Sequence, residues 1–127
     1  MKDRLPGNLS DEEYLQRLRM KIAEKRVPYT GSIELTHRCN LKCMHCYLGD
    51  QRSISRVSGR ELATEPWIEI IDQIVKAQCL DLLITGGEPM LRKDFPEIYA
   101  HAKRRGMIVT VFSNATLVTP AILEVFG

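Results

Sequence analysis

The segment Leu80-Asp81-Leu82-Leu83-Ile84-Thr85-Gly86-Gly87-Glu88-Pro89 decides the fold class. Leu80 to Thr85 is an apolar run of strand length, and the paired glycines and the proline stop it abruptly. Upstream, Trp67, Ile70, Ile71, Ile74 and Val75 repeat at the spacing of one buried helix face. That helix runs from about Glu65 to Gln78, with Thr64 as its N-cap and Pro66 in its first turn. Downstream, Asp94 and Glu97 have capping-box spacing and open a helix that closes at Gly106. A second apolar run, Met107 to Phe112, reads as a strand of a parallel sheet covered on both faces. It ends at Ser113-Asn114-Ala115-Thr116, and Thr119-Pro120 opens a final helix.

The same alternation extends towards the N-terminus. Ser32 to Thr36 reads as a strand leading into a cysteine loop, followed by a polar connector from Gly49 to Gly59. Before it, a helix spans about Ser10 to Arg26, with Ser10 and Glu13 as a capping box and Tyr14, Leu15, Leu18 and Ile22 as its apolar stripe. Pro28 and Gly31 break the chain after it. Strands separated by helices indicate βαβ units, so the expected fold is α/β: three βα units after an N-terminal helix. In barrels built this way, functional residues gather at the C-terminal ends of the strands. The cysteine loop, the Gly-Gly-Glu-Pro turn and the Ser-Asn-Ala-Thr turn all occupy that position, so all three belong on one rim.

Composition narrows the class. The 127 residues fit one domain, and 44% hydrophobic with 27% charged residues is an ordinary globular balance. No apolar run approaches the roughly 18 residues of a membrane span, and no secretory signal is recognisable, so the cytoplasm is the expected location. A net charge of +2 selects no acidic partner. Lys103-Arg104-Arg105 complements the negative end of a helix, without the interleaved aromatic residues of a nucleic-acid platform. Trp67 reads as core, His101 as surface and Cys79 as a small buried hydrophobe.

The remaining three cysteines lie within eight residues, Cys39-Asn40-Leu41-Lys42-Cys43-Met44-His45-Cys46. So tight a group points to metal rather than disulfides. Three thiolates in one loop can hold three corners of a cubane cluster and leave the fourth iron open, whereas an electron carrier normally supplies a fourth cysteine. The alternative is a non-catalytic module, with zinc held by the three cysteines and His37 or His45. The Gly-Gly-Glu-Pro turn at the next strand end favours the cluster, and His45 is then read as a packing residue.

The C-x3-C-x2-C spacing resembles the signature of the radical S-adenosylmethionine (SAM) superfamily. Glu34 to Tyr47 is similar to the cluster loop of the branch with a C-terminal SPASM domain, which includes peptide and sulfatase maturases and haem and quinone cofactor biosynthesis enzymes. Leu83 to Arg92 resembles that family's second-strand motif. Val111 to Leu117 resembles its third-strand ending, with Ala115 where glycine is usual. The resemblance implies the first half of a (β/α)6 partial TIM-like barrel, with residues 1–30 a helical leader and 31–127 a truncated core domain, a fragment with an unpaired strand edge.

It further implies an oxidoreductase in which Cys39, Cys43 and Cys46 hold a 4Fe–4S cluster. The cluster cleaves SAM to a 5′-deoxyadenosyl radical, which takes hydrogen from a substrate. Gly86, Gly87 and Glu88 would lie along the methionyl group, with the Glu88 carboxylate on its ammonium. Tyr47 would lie near the adenine, and Ser113 and Asn114 would line the same site. The implied partners are a flavodoxin- or ferredoxin-type reductant and a substrate that is a peptide or a small cofactor precursor.

Overall fold

A computed structural model describes residues 9–49 and 61–127. The polar connector after Gly49 and the first residues of the leader lie outside the described residues. The chain runs α1 (Asp11–Lys25), β1 (Thr30–Thr36), α2 (Thr64–Lys76), β2 (Asp81–Gly86), a 3-10 turn (Pro89–Leu91), α3 (Phe95–Arg104), β3 (Ile108–Val111) and α4 (Pro120–Phe126). None of the described helices is long and apolar enough to cross a membrane.

The three strands form a parallel sheet in the order β1-β2-β3. Ile33 pairs with Ile84, and Ile84 with Val111, so the C-terminal ends line up on one edge. Alternation along the strands sends Ile33, Leu35, Leu82 and Ile84 to the helix-covered face, where Ile71 of α2 and Phe95, Ile98 and Ala102 of α3 meet them. Each such large apolar side chain contributes about 1.5–3 kcal/mol by leaving water. Tyr99 and Phe126, 4.9 Å apart, seal the α3–α4 side. The opposite face carries Ser32 and Glu34, both exposed.

Local signals hold where they were self-contained. Glu13 N donates to Ser10 Oγ at 3.3 Å and Ser10 N to Glu13 Oε2 at 2.9 Å, closing the capping box of α1. Thr119 caps α4 by accepting from Ile122 N at 3.3 Å. Cys79 is buried, and burial pushes its thiol up.

The apolar stripe of α1 stays out of the core: the helix buries none of its residues, and Tyr14 and Leu15 are exposed. Three expectations change. The run of β3 is covered on one face only: Ile108 and Phe112 are exposed, while Met107 is buried and Val109 and Val111 lean on the core. His101 is no free surface residue, because its Nε2 lies 2.9 Å from Asp72 Oδ1 and its side chain is only 17% exposed. The cap residues of α2 and α3 have been drawn into one another: Thr64 Oγ1 donates to Asp94 Oδ2 at 2.7 Å, leaving Ala63 at the N-cap of α2, and Asp94 makes no side-chain cap of its own.

Asp94 is diverted by Arg92. That guanidinium is buried, donating to Asp94 at 2.9 and 2.6 Å and to the Leu35 carbonyl of β1 at 3.3 Å. Burial pushes the Asp94 carboxyl up, but bonds from Arg92 and Thr64 and the charge of Arg92 outweigh it, leaving the group below its usual range. A carboxyl lowered on folding contributes fully above its unfolded pKa, about 3.9, and loses that contribution as acid takes the pH down through its folded value. Asp94→Asn should therefore cost about 3 kcal/mol at neutral pH, the low end for breaking a buried pair, because Asp94 keeps some contact with water. It should also remove part of the acid-side fall in stability, as urea denaturation at pH 7 and at acid pH would show.

Candidate active site

The rim begins with a close approach of backbones. Gly87 N donates to the Thr36 carbonyl at 2.7 Å and Glu88 N to the Arg38 carbonyl at 2.8 Å. A Cβ on Gly86 would lie 2.3 Å from Thr36 O, and one on Gly87 would lie 2.2 Å from Arg38 O. Gly86 also sits at φ +124°, a region that L side chains avoid. Both glycines are thus required by the chain's own packing: the end of β2 is pressed against the residues that launch the cysteine loop.

This contact carries Glu88 beneath the rim, where it is fully buried. Its carboxylate accepts from Met90 N at 3.0 Å, Asn114 N at 2.8 Å and Ser113 Oγ at 3.0 Å to each oxygen. All of these donors are neutral, and together they tie the end of β2 to the end of β3. The carboxylate is committed inward in this structure.

The cysteine loop leaves β1 on the same edge. Cys39 is half-buried and Cys43 and Cys46 are exposed, and none of the three is in a disulfide. Cys39 Sγ accepts from Leu41 N at 3.4 Å and lies 3.8 Å from Asn114 Nδ2. Cys46 N donates to the Cys43 carbonyl at 3.2 Å, forming the turn between the last two thiols. Three unbridged cysteines in one loop, the first facing N–H donors, are a donor set suited to a cluster that takes three cysteines. Among the described residues, no three His, Cys, Asp or Glu side chains converge as a metal site would need, and the three thiols of this loop are themselves not gathered to one point. His37 is engaged by Glu34 at 3.3 Å, and His45 is exposed instead of packed.

Between loop and turn lies a cleft of about 460 Å³, lined by Tyr47, Thr85, Gly86, Gly87, Val111, Phe112, Ser113 and Asn114. Tyr47 lies across the bare face of the sheet, its hydroxyl 3.4 Å from Glu34 Oε1 and from the Gly86 carbonyl, and 3.5 Å from Thr85 Oγ1. Tyr47, Gly86, Gly87, Ser113 and Asn114 therefore line one cleft, with Cys39 beside Asn114 and Glu88 buried below.

Sequence reasoning missed the supports. Glu61 accepts from Thr36 Oγ1 and from Arg38 Nε at 3.2 Å, so it braces the two residues flanking His37. Burial pushes the Glu61 carboxyl up, but bonds from Thr36 and Arg38 outweigh it and hold it below the usual range. Asn40 and Thr116 meet across the rim at 2.7 Å. Pairs so distant in sequence leave no local signature.

Residues 33–127 match the Radical SAM superfamily. The chain belongs to that superfamily. Radical SAM enzymes use a 4Fe–4S cluster and SAM, the cofactors that the motifs implied. The chain is 40% identical over 91 residues to PqqA peptide cyclase of Granulibacter bethesdensis, covering 72% of this chain and 24% of that one. It is 37% identical over 103 residues to AdoMet-dependent heme synthase of Methanosarcina barkeri, covering 81% of this chain and 29% of that one. The fold is similar to that of Streptococcus suis SuiB bound to precursor peptide SuiA (TM-score 0.68, 22% identity, 98% of this chain and 29% of that one) and to SuiB bound to S-adenosylmethionine (TM-score 0.65, 22% identity, 98% and 28%). The radical SAM chain thus spans less than a third of each of these relatives, and its three-stranded parallel sheet is part of a TIM-like barrel.

Two changes probe the rim. Ala115 stands at φ +60° where the radical SAM resemblance calls for glycine. The left-handed region costs an L-residue about 1–2 kcal/mol, and glycine's extra chain entropy takes back about 0.5–1. Ala115→Gly should therefore stabilise the protein by about 0.5–1 kcal/mol, seen as a higher urea midpoint. Glu88→Gln places amide hydrogens against donors and should destabilise by about 1–3 kcal/mol. Hydrogen exchange at the Met90 and Asn114 amides should accelerate with it.

Proposed function

We propose that this chain holds a 4Fe–4S cluster through Cys39, Cys43 and Cys46, binds SAM in the adjoining cleft, and so begins radical chemistry on a substrate. The observation that carries this is the cleft lined by Tyr47, Gly86, Gly87, Ser113 and Asn114, with Cys39 Sγ 3.8 Å from Asn114 Nδ2 at its wall and Cys43 and Cys46 further along the same exposed loop. The bound cluster supplies one electron to the S–C5′ bond of SAM, giving methionine and a 5′-deoxyadenosyl radical that takes a hydrogen atom from the substrate.

The residues of the chain do the positioning. Main-chain groups of Gly86, Gly87 and Glu88 lie along the methionyl part of SAM, with the Gly86 carbonyl available to its ammonium. The buried Glu88 carboxylate keeps that edge in register. Tyr47 closes the cleft on the adenine side, its ring largely exposed for stacking. Ser113 and Asn114 form the far wall. Residues 31–127 supply the opening three βα units of the catalytic domain, and residues 1–30 a leader to it.

A peptide substrate is supported by relatives named for peptides, PqqA peptide cyclase and SuiB with its precursor peptide SuiA. A small cofactor precursor is the second class, supported by the similar heme synthase. The reductant is a flavodoxin- or ferredoxin-type donor.

The ligand assignment is tested by anaerobic reconstitution, with iron analysis and EPR of the reduced protein. Alanine at Cys39, Cys43 or Cys46 should abolish the cluster signal, and Cys79→Ser should leave it intact. A colourless, zinc-loaded protein, or a cluster lost with Cys79→Ser and kept with Cys43→Ala, would overturn the assignment.

A further inference from the structure

We propose that Asn114 is a positioning residue for the cluster: its side-chain amide clamps the cysteine loop to the end of β3 and donates an N–H···S hydrogen bond to Cys39. This rests on the reading of Cys39 as a cluster ligand.

The orientation of the amide follows from its neighbours. Thr116 N, which can only donate, lies 3.0 Å from one terminal atom of Asn114, so that atom is the oxygen, Oδ1. Nδ2 therefore faces the loop, 2.9 Å from Asn40 Oδ1 and 3.8 Å from Cys39 Sγ, and its two hydrogens have one acceptor each.

The contact with Asn40 belongs to a closed ring. Asn114 Nδ2 donates to Asn40 Oδ1, Asn40 Nδ2 to Thr116 Oγ1 at 2.7 Å, and Thr116 Oγ1 back to Asn114 Oδ1 at 2.6 Å. Each side chain donates once and accepts once around the ring, an arrangement in which the bonds polarise one another. The ring joins residues 74 apart in sequence. It is rooted in the sheet, because Asn114 N donates to the buried Glu88 carboxylate at 2.8 Å. The residue beside the first thiol is thereby held to the end of β3 by side chains alone.

A simple turn-forming role does not account for this. An asparagine that only shaped the turn would need Oδ1 to receive Thr116 N, and aspartate would serve equally. The amide hydrogens, the part that aspartate lacks, are the part aimed at the loop. A donor directed at a ligand sulfur favours the more negative, reduced state of the cluster and so raises its potential.

The test uses the intact reconstituted protein without SAM, measuring iron content, the rate of iron loss to a chelator and an EPR-monitored redox titration. Asn114→Asp keeps shape and Oδ1 but adds charge and loses the donor. Asn114→Leu loses the donor without adding charge. Both should release iron several-fold faster than the unaltered protein, and both should show a lower potential. A purely structural role would reduce loading without moving the potential of the clusters that remain, so an unchanged potential in Asn114→Leu overturns the inference, even if Asn114→Asp shifts it. If neither variant loads iron while circular dichroism shows the native fold, the clamp is upheld as essential to the loop. Unfolding of both variants would overturn it, since Asn114 would then support the fold and not the cluster. An unaltered protein without any cluster would instead refute the assignment of Cys39.

Discussion

Everything at the rim depends on how closely the backbone after β2 approaches the backbone after β1. Two glycines bring main chain against main chain, with separations that leave no room for a methyl group. Two N–H groups of the turn bond to carbonyls flanking the start of the cysteine loop. Each such bond contributes only about 0.5–1.5 kcal/mol net, yet the steric constraint fixes their geometry far more tightly than that energy alone would. The loop and the turn therefore act as one piece, and the direction in which Cys39 leaves the sheet is inherited from Gly86 and Gly87.

The same constraint explains a fully buried carboxylate served by neutral donors. Burying Glu88 without partners would be prohibitive, so its position is tolerable only while Met90 N, Ser113 Oγ and Asn114 N are all in place. That makes the carboxylate a sensor of register: a shift of β3 against β2 would strand it. A second network works outside the rim. Arg92 reaches the Leu35 carbonyl and Asp94, and Glu61 braces Thr36 and Arg38. The first network holds β2 to β3 and the second holds the end of β1, so all three strand ends are fixed by polar contacts in addition to the core.

What was legible in the sequence was what each segment decides for itself. The strand of Leu82 and Ile84, the caps at Ser10 and Thr119, and the placement of three unusual turns on one edge follow from local pattern and parallel topology. The misses arise where a partner or a pairing that no local pattern announces decides the outcome. Asp94 had the spacing of a capping residue, but Arg92 offered it a charged partner in a buried place, which outweighs an amide at a helix end. Thr64 was drawn from its cap by the same carboxylate. Glu88 entered as a ligand through the resemblance, and nothing local reveals that its carboxylate is buried among Met90 N, Ser113 Oγ and Asn114 N. The apolar run of β3 implied cover on both faces, yet pairing placed it at the edge of the described sheet, with Phe112 open to solvent.

The three thiols are not equivalent, and this bears on how the loop would meet the proposed cluster. Cys39 lies next to the sheet, faced by Leu41 N and Asn114 Nδ2, with Asn40 beside it locked across the rim. Cys43 and Cys46 sit further along, on a turn closed by Cys46 N to the Cys43 carbonyl and Gly49 N to the Cys46 carbonyl, and both side chains are exposed. Ordering a residue costs about 1–2 kcal/mol of backbone entropy, and for Cys39 that cost has been met in folding the rim. The entropy still to be lost falls on the part of the loop that carries Cys43 and Cys46. Under the proposed ligation, a loop anchored at Cys39 and open at Cys43 and Cys46 would admit a bulky inorganic group from the solvent side before closing around it. With all three thiols fixed in advance, the same group would have to enter a rigid cage.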